Sequence, residues 1–171
     1  MRDFSDNKYI SAIDKNSFGL LYFDGVLPRR SITHNELLGY IRNILAQLHF
    51  CVHLNGYKFL ARLVELYITD DGYDQATAVE YLAEVFGQTP SGITANIETA
   101  IEHNKDFANT LSKIFGISNI VITDIADTVE AIGAVFYAYF APVTEINIDA
   151  HTEKSNIDID KVIYYVQHTE K

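Results

Sequence analysis

From Leu37 to Phe140, apolar residues recur every three or four positions, and glycine, proline and short polar turns cut the run into helix-length pieces. Leu37, Leu38, Ile41, Ile44, Leu45 and Leu48 form the first stripe, with Ser31 or Thr33 available as its cap. After a short break at Asn55-Gly56, the pattern resumes with Phe59, Leu60, Leu63, Val64 and Tyr67. TDDGYDQ at 69–75 reads as a polar turn. Val79, Leu82 and Phe86 mark a third helix that stops at Gly87. Thr89-Pro90 opens a fourth: threonine caps, and proline at the first helical position loses no needed N–H. Its buried stripe is Ile93, Ile97, Ala100 and Ile101. Phe107, Leu111, Ile114 and Phe115 give a fifth helix ended by Gly116, and a sixth runs from about Asp127 to Phe140, stopped by Pro142.

The two ends differ in character. FGLLYFD at 18–24 is apolar and aromatic, TEINID at 144–149 alternates strictly, and VIYYVQ at 162–167 is β-branched and aromatic. The expected fold is mainly α: a six-helix bundle with a helix-turn-helix, plus a small antiparallel β element from the terminal segments. The expected division is an N-terminal extension (1–35, partly strand-like), a helical domain (36–141) and a strand-rich C-terminal extension (142–171). Such strands either close the helical domain as a lid or offer an edge to a second chain.

With 171 residues, 48% of them hydrophobic, the chain can bury a sizeable single core. A net charge of −10 opposes unaided contact with nucleic acid or anionic membrane. One cysteine, Cys51, allows no internal disulfide and fits a reducing, cytoplasmic compartment. The apolar run 131–140 is too short to span a membrane, and the polar, acidic residues 1–6 do not read as a signal peptide.

The third and fourth helices have the parts of a helix-turn-helix. Ala83 is small where two helices cross, Gly87 allows the turn, and Ile93 is a β-branched residue that locks the second helix. The surrounding pattern is more specific. His53-Leu54-Asn55-Gly56-Tyr57-Lys58-Phe59-Leu60 resembles the "H-I-K-G-Y-x-Y-L" segment of the effector domain in the stage zero sporulation protein A family of sporulation response regulators. Ala83-Glu84-Val85-Phe86 is similar to that family's "A-K-K-F", and Ser91-Gly92-Ile93 to its "S-R-V". Ala100-Ile101-Glu102 matches its "A-I-E", and Ile114-Phe115-Gly116 resembles its "L-F-G". The resemblance covers about residues 36 to 141 and implies an all-helical domain whose fourth helix enters the DNA major groove.

Departures from the family pattern fall on the DNA-reading positions. Where the family presents three arginines and a histidine, this chain has Gly92, Ala95, Glu98 and Thr99. None of these replaces an arginine's bonds to guanine or phosphate, and Glu98 carries the wrong sign. Residues 63–102 contain eight acids and no lysine or arginine, although phosphate neutralisation supplies most of the affinity for duplex DNA. The family's receiver domain has no room in the 35 residues ahead of the helical core, so phosphorelay control within the chain is not expected.

Other constellations are weaker. His49, Cys51 and His53 alternate as metal ligands on a strand would, but the resemblance places them at the joint of the first two helices, where a packed joint with a small buried thiol is expected. Asp70, Asp71 and Asp74 lack the alternation and distant glutamate of a calcium loop and read as a solvated turn. There is no glycine-rich phosphate loop and no Gly-x-Ser-x-Gly elbow, and His34, His103 and His151 have no nucleophile or carboxylate at motif spacing. No catalytic, cofactor or metal residue is expected.

The expected function is a non-catalytic cytoplasmic regulatory or interaction protein on the sporulation-regulator fold. Its face on the fourth helix is Ser91, Gly92, Ala95, Asn96, Glu98, Thr99 and Glu102, with a protein partner or a second copy as occupant. The alternative is a transcription regulator that reaches DNA as a dimer through Arg29, Arg30, Arg42, Lys58 and Arg62.

Overall fold

The computed structural model describes residues 2–13, 31–116, 120, 122, 124–140 and 145–147. Thr33 and Glu36 build a reciprocal capping box that starts α1 (His34–Gln47). After α2 (Asn55–Thr69) comes α3 (Gln75–Phe86), capped by the Asp74 carboxylate, which accepts from the Thr77 N–H. Gly87, at φ 63°, ends α3 in a left-handed turn that most side chains would strain, and Gln88 N–H then donates to the Ala83 carbonyl at 2.9 Å. Thr89 caps α4 (Pro90–His103), Gly116 ends α5 (Phe107–Phe115), and α6 (Ile125–Phe140) completes the helices among the described residues.

The hub of the fold is α2, which packs against α1, α3, α4 and α6. It is buried almost all round, from Gly56 and Tyr57 to Tyr67 and Ile68, as a helix enclosed by four others must be. Two crossings have no clearance. A Cβ at Gly56 would stand 2.0 Å from the Asn96 carbonyl oxygen, so α2 and α4 meet backbone to backbone. A Cβ at Gly133 would stand 2.5 Å from the Tyr67 ring, which fixes α6 against α2. Gly56 therefore lies within α2 rather than in a break before it, and its small size serves the α2–α4 contact.

The N-terminal residues are part of this body. Phe4 is buried against Tyr67 and Tyr137, and the Asn7 amide donates to the Tyr67 hydroxyl and to the Glu130 carbonyl, both at 2.9 Å. Residues 4–6 and 10–12 form short 3-10 turns.

β1 (Ser31–Thr33) and β2 (Glu145–Asn147) form a two-stranded sheet that is parallel, with Ile32 opposite Ile146, and this corrects the antiparallel expectation. A hairpin would force opposite directions; here the six helices intervene and act as one long crossover, which parallel pairing requires. Ile32 is buried and Ile146 packs on the core, so these strands lie on the helices. The strand readings at 18–24 and 162–167 fall outside the described residues.

Candidate interaction face

Helix α4 is anchored by Ile93, Ile97 and Ala100, all buried, with Ile101 half-buried against the core. On the opposite side Ser91, Ala95, Glu98, Thr99 and Glu102 are exposed, while Gly92 and Asn96 are half-buried. The structure thus brings all seven residues of the expected face onto one helix. It is a face with few donors to offer. The Asn96 amide donates to the Gly92 carbonyl at 2.8 Å, and the Thr99 hydroxyl donates to the Ala95 carbonyl at 2.9 Å. His103 Nδ1 stands 2.9 Å from the Thr99 carbonyl. These side chains return to their own helix, leaving Glu98 and Glu102 as the projecting charges. Beside them, α3 and the first turn of α4 enclose a shallow groove of about 340 Å³, lined by Ala76, Val79, Glu80, Pro90, Ser91 and Thr94. Glu80 and Glu84 on α3 are also exposed.

Of the five expected cationic contacts, Arg42, Lys58 and Arg62 fall among the described residues, and Arg62 does not share a surface with the other two. Arg29 and Arg30 lie outside the described residues. Arg62 is buried, its Nε 3.0 Å from Glu65 Oε2, so it is committed to the interior rather than to a phosphate. Arg42 and Lys58 are half-buried neighbours across α1 and α2, where the Tyr57 hydroxyl donates to the Arg42 carbonyl at 2.8 Å. Burial, and secondarily the Arg42 charge, push the Lys58 ammonium pKa below its ordinary value.

His34 and Glu65, separate in the sequence reading, prove to be partners. His34 Nδ1 stands 2.9 Å from Glu65 Oε1, and with Arg62 they form a polar cluster joining the start of α1 to α2. A signal was present: Arg62 and Glu65 sit three apart within a helix apolar on every side, where charges must pair.

His49, Cys51 and His53 are exposed in the α1–α2 joint, which corrects the buried thiol. The chain reverses there with His49 at φ 71°, a left-handed conformation without glycine. Asp70 and Asp74 accept from backbone N–H groups of Gly72 and Thr77, and Asp71 accepts from the Asp3 N–H at 2.8 Å. Among the described residues no three histidines, cysteines or carboxylates gather as a metal site, and no helix is long and apolar enough to cross a membrane. Comparison with protein-family models, curated proteins and solved structures finds no match to this chain.

Proposed function

We propose that this chain is a non-catalytic cytoplasmic regulatory or interaction protein, built on a sporulation-regulator-like helix-turn-helix and docking a protein through the acidic outer face of α4. One observation carries the reading: the exposed side of α4 offers Glu98 and Glu102 beside small residues, while Asn96 and Thr99 spend their donors on their own backbone. Such a face repels phosphate and suits a partner with basic residues. Transcription regulation, in this reading, proceeds through that partner.

Duplex DNA binding is the first test. Fluorescence anisotropy with random and genomic duplexes should give no sequence-selective binding at physiological salt. A salt-sensitive, selective complex of sub-micromolar affinity would reverse the reading. It would favour the alternative, a dimer that reaches DNA through the basic residues Arg29, Arg30, Arg42 and Lys58, with Arg62 of the expected five turned inward. The second test is capture from the native host followed by mass spectrometry. Proteins retained by the parent and lost by Glu98→Arg support the α4 face, and identical sets refute it. Light scattering of both proteins identifies a second copy as the partner if only the parent is dimeric.

A further inference from the structure

Residues 2–9 sit on the helical body as a peptide sits on a receptor, held by single side chains rather than by a strand ladder. The Arg2 N–H donates to the Ile68 carbonyl at 2.8 Å, and its guanidinium lies 3.9 Å over the Tyr67 ring. Phe4 fills the angle between Tyr137, with ring centroids 4.6 Å apart, and Tyr67, at 6.0 Å. Asn7 is the strictest contact: beyond its two amide bonds to Tyr67 and Glu130, its Oδ1 accepts from the Tyr9 N–H at 2.8 Å. Tyr9 then stacks on Phe115 at 5.6 Å, the rings nearly parallel. The body also takes hold of the backbone, since Asp71 accepts from the Asp3 N–H and Glu130 Oε1 from the Lys8 N–H, both at 2.8 Å. The receiving surface is thus built by α2, the turn after it, the end of α5 and α6. Yet of residues 2–13 only Phe4 and Asn7 are buried. A chain terminus held by two buried anchors leaves and returns at a far smaller cost than global unfolding.

We infer that this surface is an exchangeable peptide site, and that the N-terminal arm of a second copy occupies it in place of the chain's own, joining the two copies. The contacts themselves name the occupant. An aspartate at position 7 would turn a carboxylate toward the Glu130 carbonyl, and an apolar residue there would leave that carbonyl and the Tyr67 hydroxyl without their donor. Position 4 needs a flat ring beside two tyrosines, and position 2 a cation over a ring face. A second copy carries all of these at the required spacing. Exchange therefore conserves every contact and is opposed only by the loss of freedom on association. An arm that left without a replacement would wet the rings of Tyr67 and Tyr137, so an emptied site favours capture of another arm. The surface shares no residue with the α4 face, and neither reading depends on the other.

The test uses full-length chains and a fluorescent peptide of residues 1–13. By anisotropy the peptide should bind the Phe4→Ala and Asn7→Ala variants saturably, because each keeps the surface and weakens its own arm. It should bind the parent at least roughly tenfold more weakly, since the tethered arm competes there. The same peptide carrying Phe4→Ala and Asn7→Asp should not bind. Exchange itself is read by mixing. Phe4→Ala, with an intact surface, and Tyr137→Ala, with an intact arm, should form a heterodimer by native mass spectrometry. Adding Asn7→Asp to the second chain should abolish it, and Glu98→Arg in both chains should leave it intact. Tyr67→Phe keeps the ring and removes the hydroxyl that Asn7 reaches, and it serves as the surface variant should Tyr137→Ala not fold. The assignment is overturned by an absence of saturable binding to either folded variant, or by equal binding of the substituted peptide or of the parent. An absent heterodimer, or one indifferent to Asn7, overturns it equally.

Discussion

At Gly56 a single hydrogen atom sets the distance between two helices. The backbone of α4 occupies the place where any side chain would begin, so the α2–α4 crossing tolerates no Cβ. Gly56→Ala should therefore destabilise the protein by about 3 kcal/mol, the upper range for overpacking a tight core. Gly39 is the control within the same fold: it is exposed on α1 with nothing within 4 Å of a Cβ. Gly39→Ala should instead add about 0.5–1 kcal/mol through helix propensity. Urea melts of the two variants measure both signs, and a stable Gly56→Ala protein would mean that α2 and α4 do not cross as described. The sequence shows a glycine beside an asparagine, which is the usual mark of a turn. Only the position of α4, far along the chain, shows that it is a contact surface. His49 is the reverse case, a helix-ending left-handed residue with no glycine to announce it.

At the scale of elements, legibility follows local punctuation. The bounds of α3, α4 and α5 were readable because Gly87, Thr89-Pro90 and Gly116 act through their own backbone and need no distant partner. The start of α2 was not, because its cap residue is Leu54, which provides no side-chain hydrogen bond. β1 was hidden for another reason: it is three residues long, and its last member, Thr33, is also the cap of α1. The strands' direction depends on how six helices return the chain, which no local pattern encodes. Helix α4 allows both of its faces to be tested. Ile97→Asp places a carboxylate in a fully buried stripe at a cost of several kcal/mol, against a whole-domain stability of roughly 5–15. It should abolish cooperative thermal unfolding. Glu98→Arg, one residue on and exposed, should leave the midpoint within a degree or so. The opposite pair of outcomes would reverse the faces of α4, and the candidate interaction surface with them. The exposure of Ser91, Ala95, Glu98, Thr99 and Glu102 on α4 follows from the helical period alone, whereas Gly92 and Asn96 are half-buried, with the Asn96 carbonyl at the α2–α4 crossing. The cationic alternative was only partly legible, since Arg62 had to be seen beside Glu65 before its inward role was apparent.

Across the whole molecule, stability is concentrated in one helix. Because α2 touches α1, α3, α4 and α6, and the polar cluster of His34, Arg62 and Glu65 rests on it, damage to α2 spreads to those four helices. The first residues of the chain also join this centre, through Phe4 and Asn7. The two strands stand in the opposite position. Ile32 and Ile146 pair across roughly a hundred residues of intervening chain, a closure whose entropy is recovered only after the helices have assembled. In time, then, the strand pair is a late event in folding and an early one in unfolding. Native-state hydrogen exchange should show this as a gradient, with amides of the three-residue ladder released by small local openings and those of Leu60 to Val64 only by global unfolding. Equal protection in both places would mean that strands and helices form one cooperative unit. With the expected gradient, the pair acts as a latch that can open and reclose many times for each opening of the helical body.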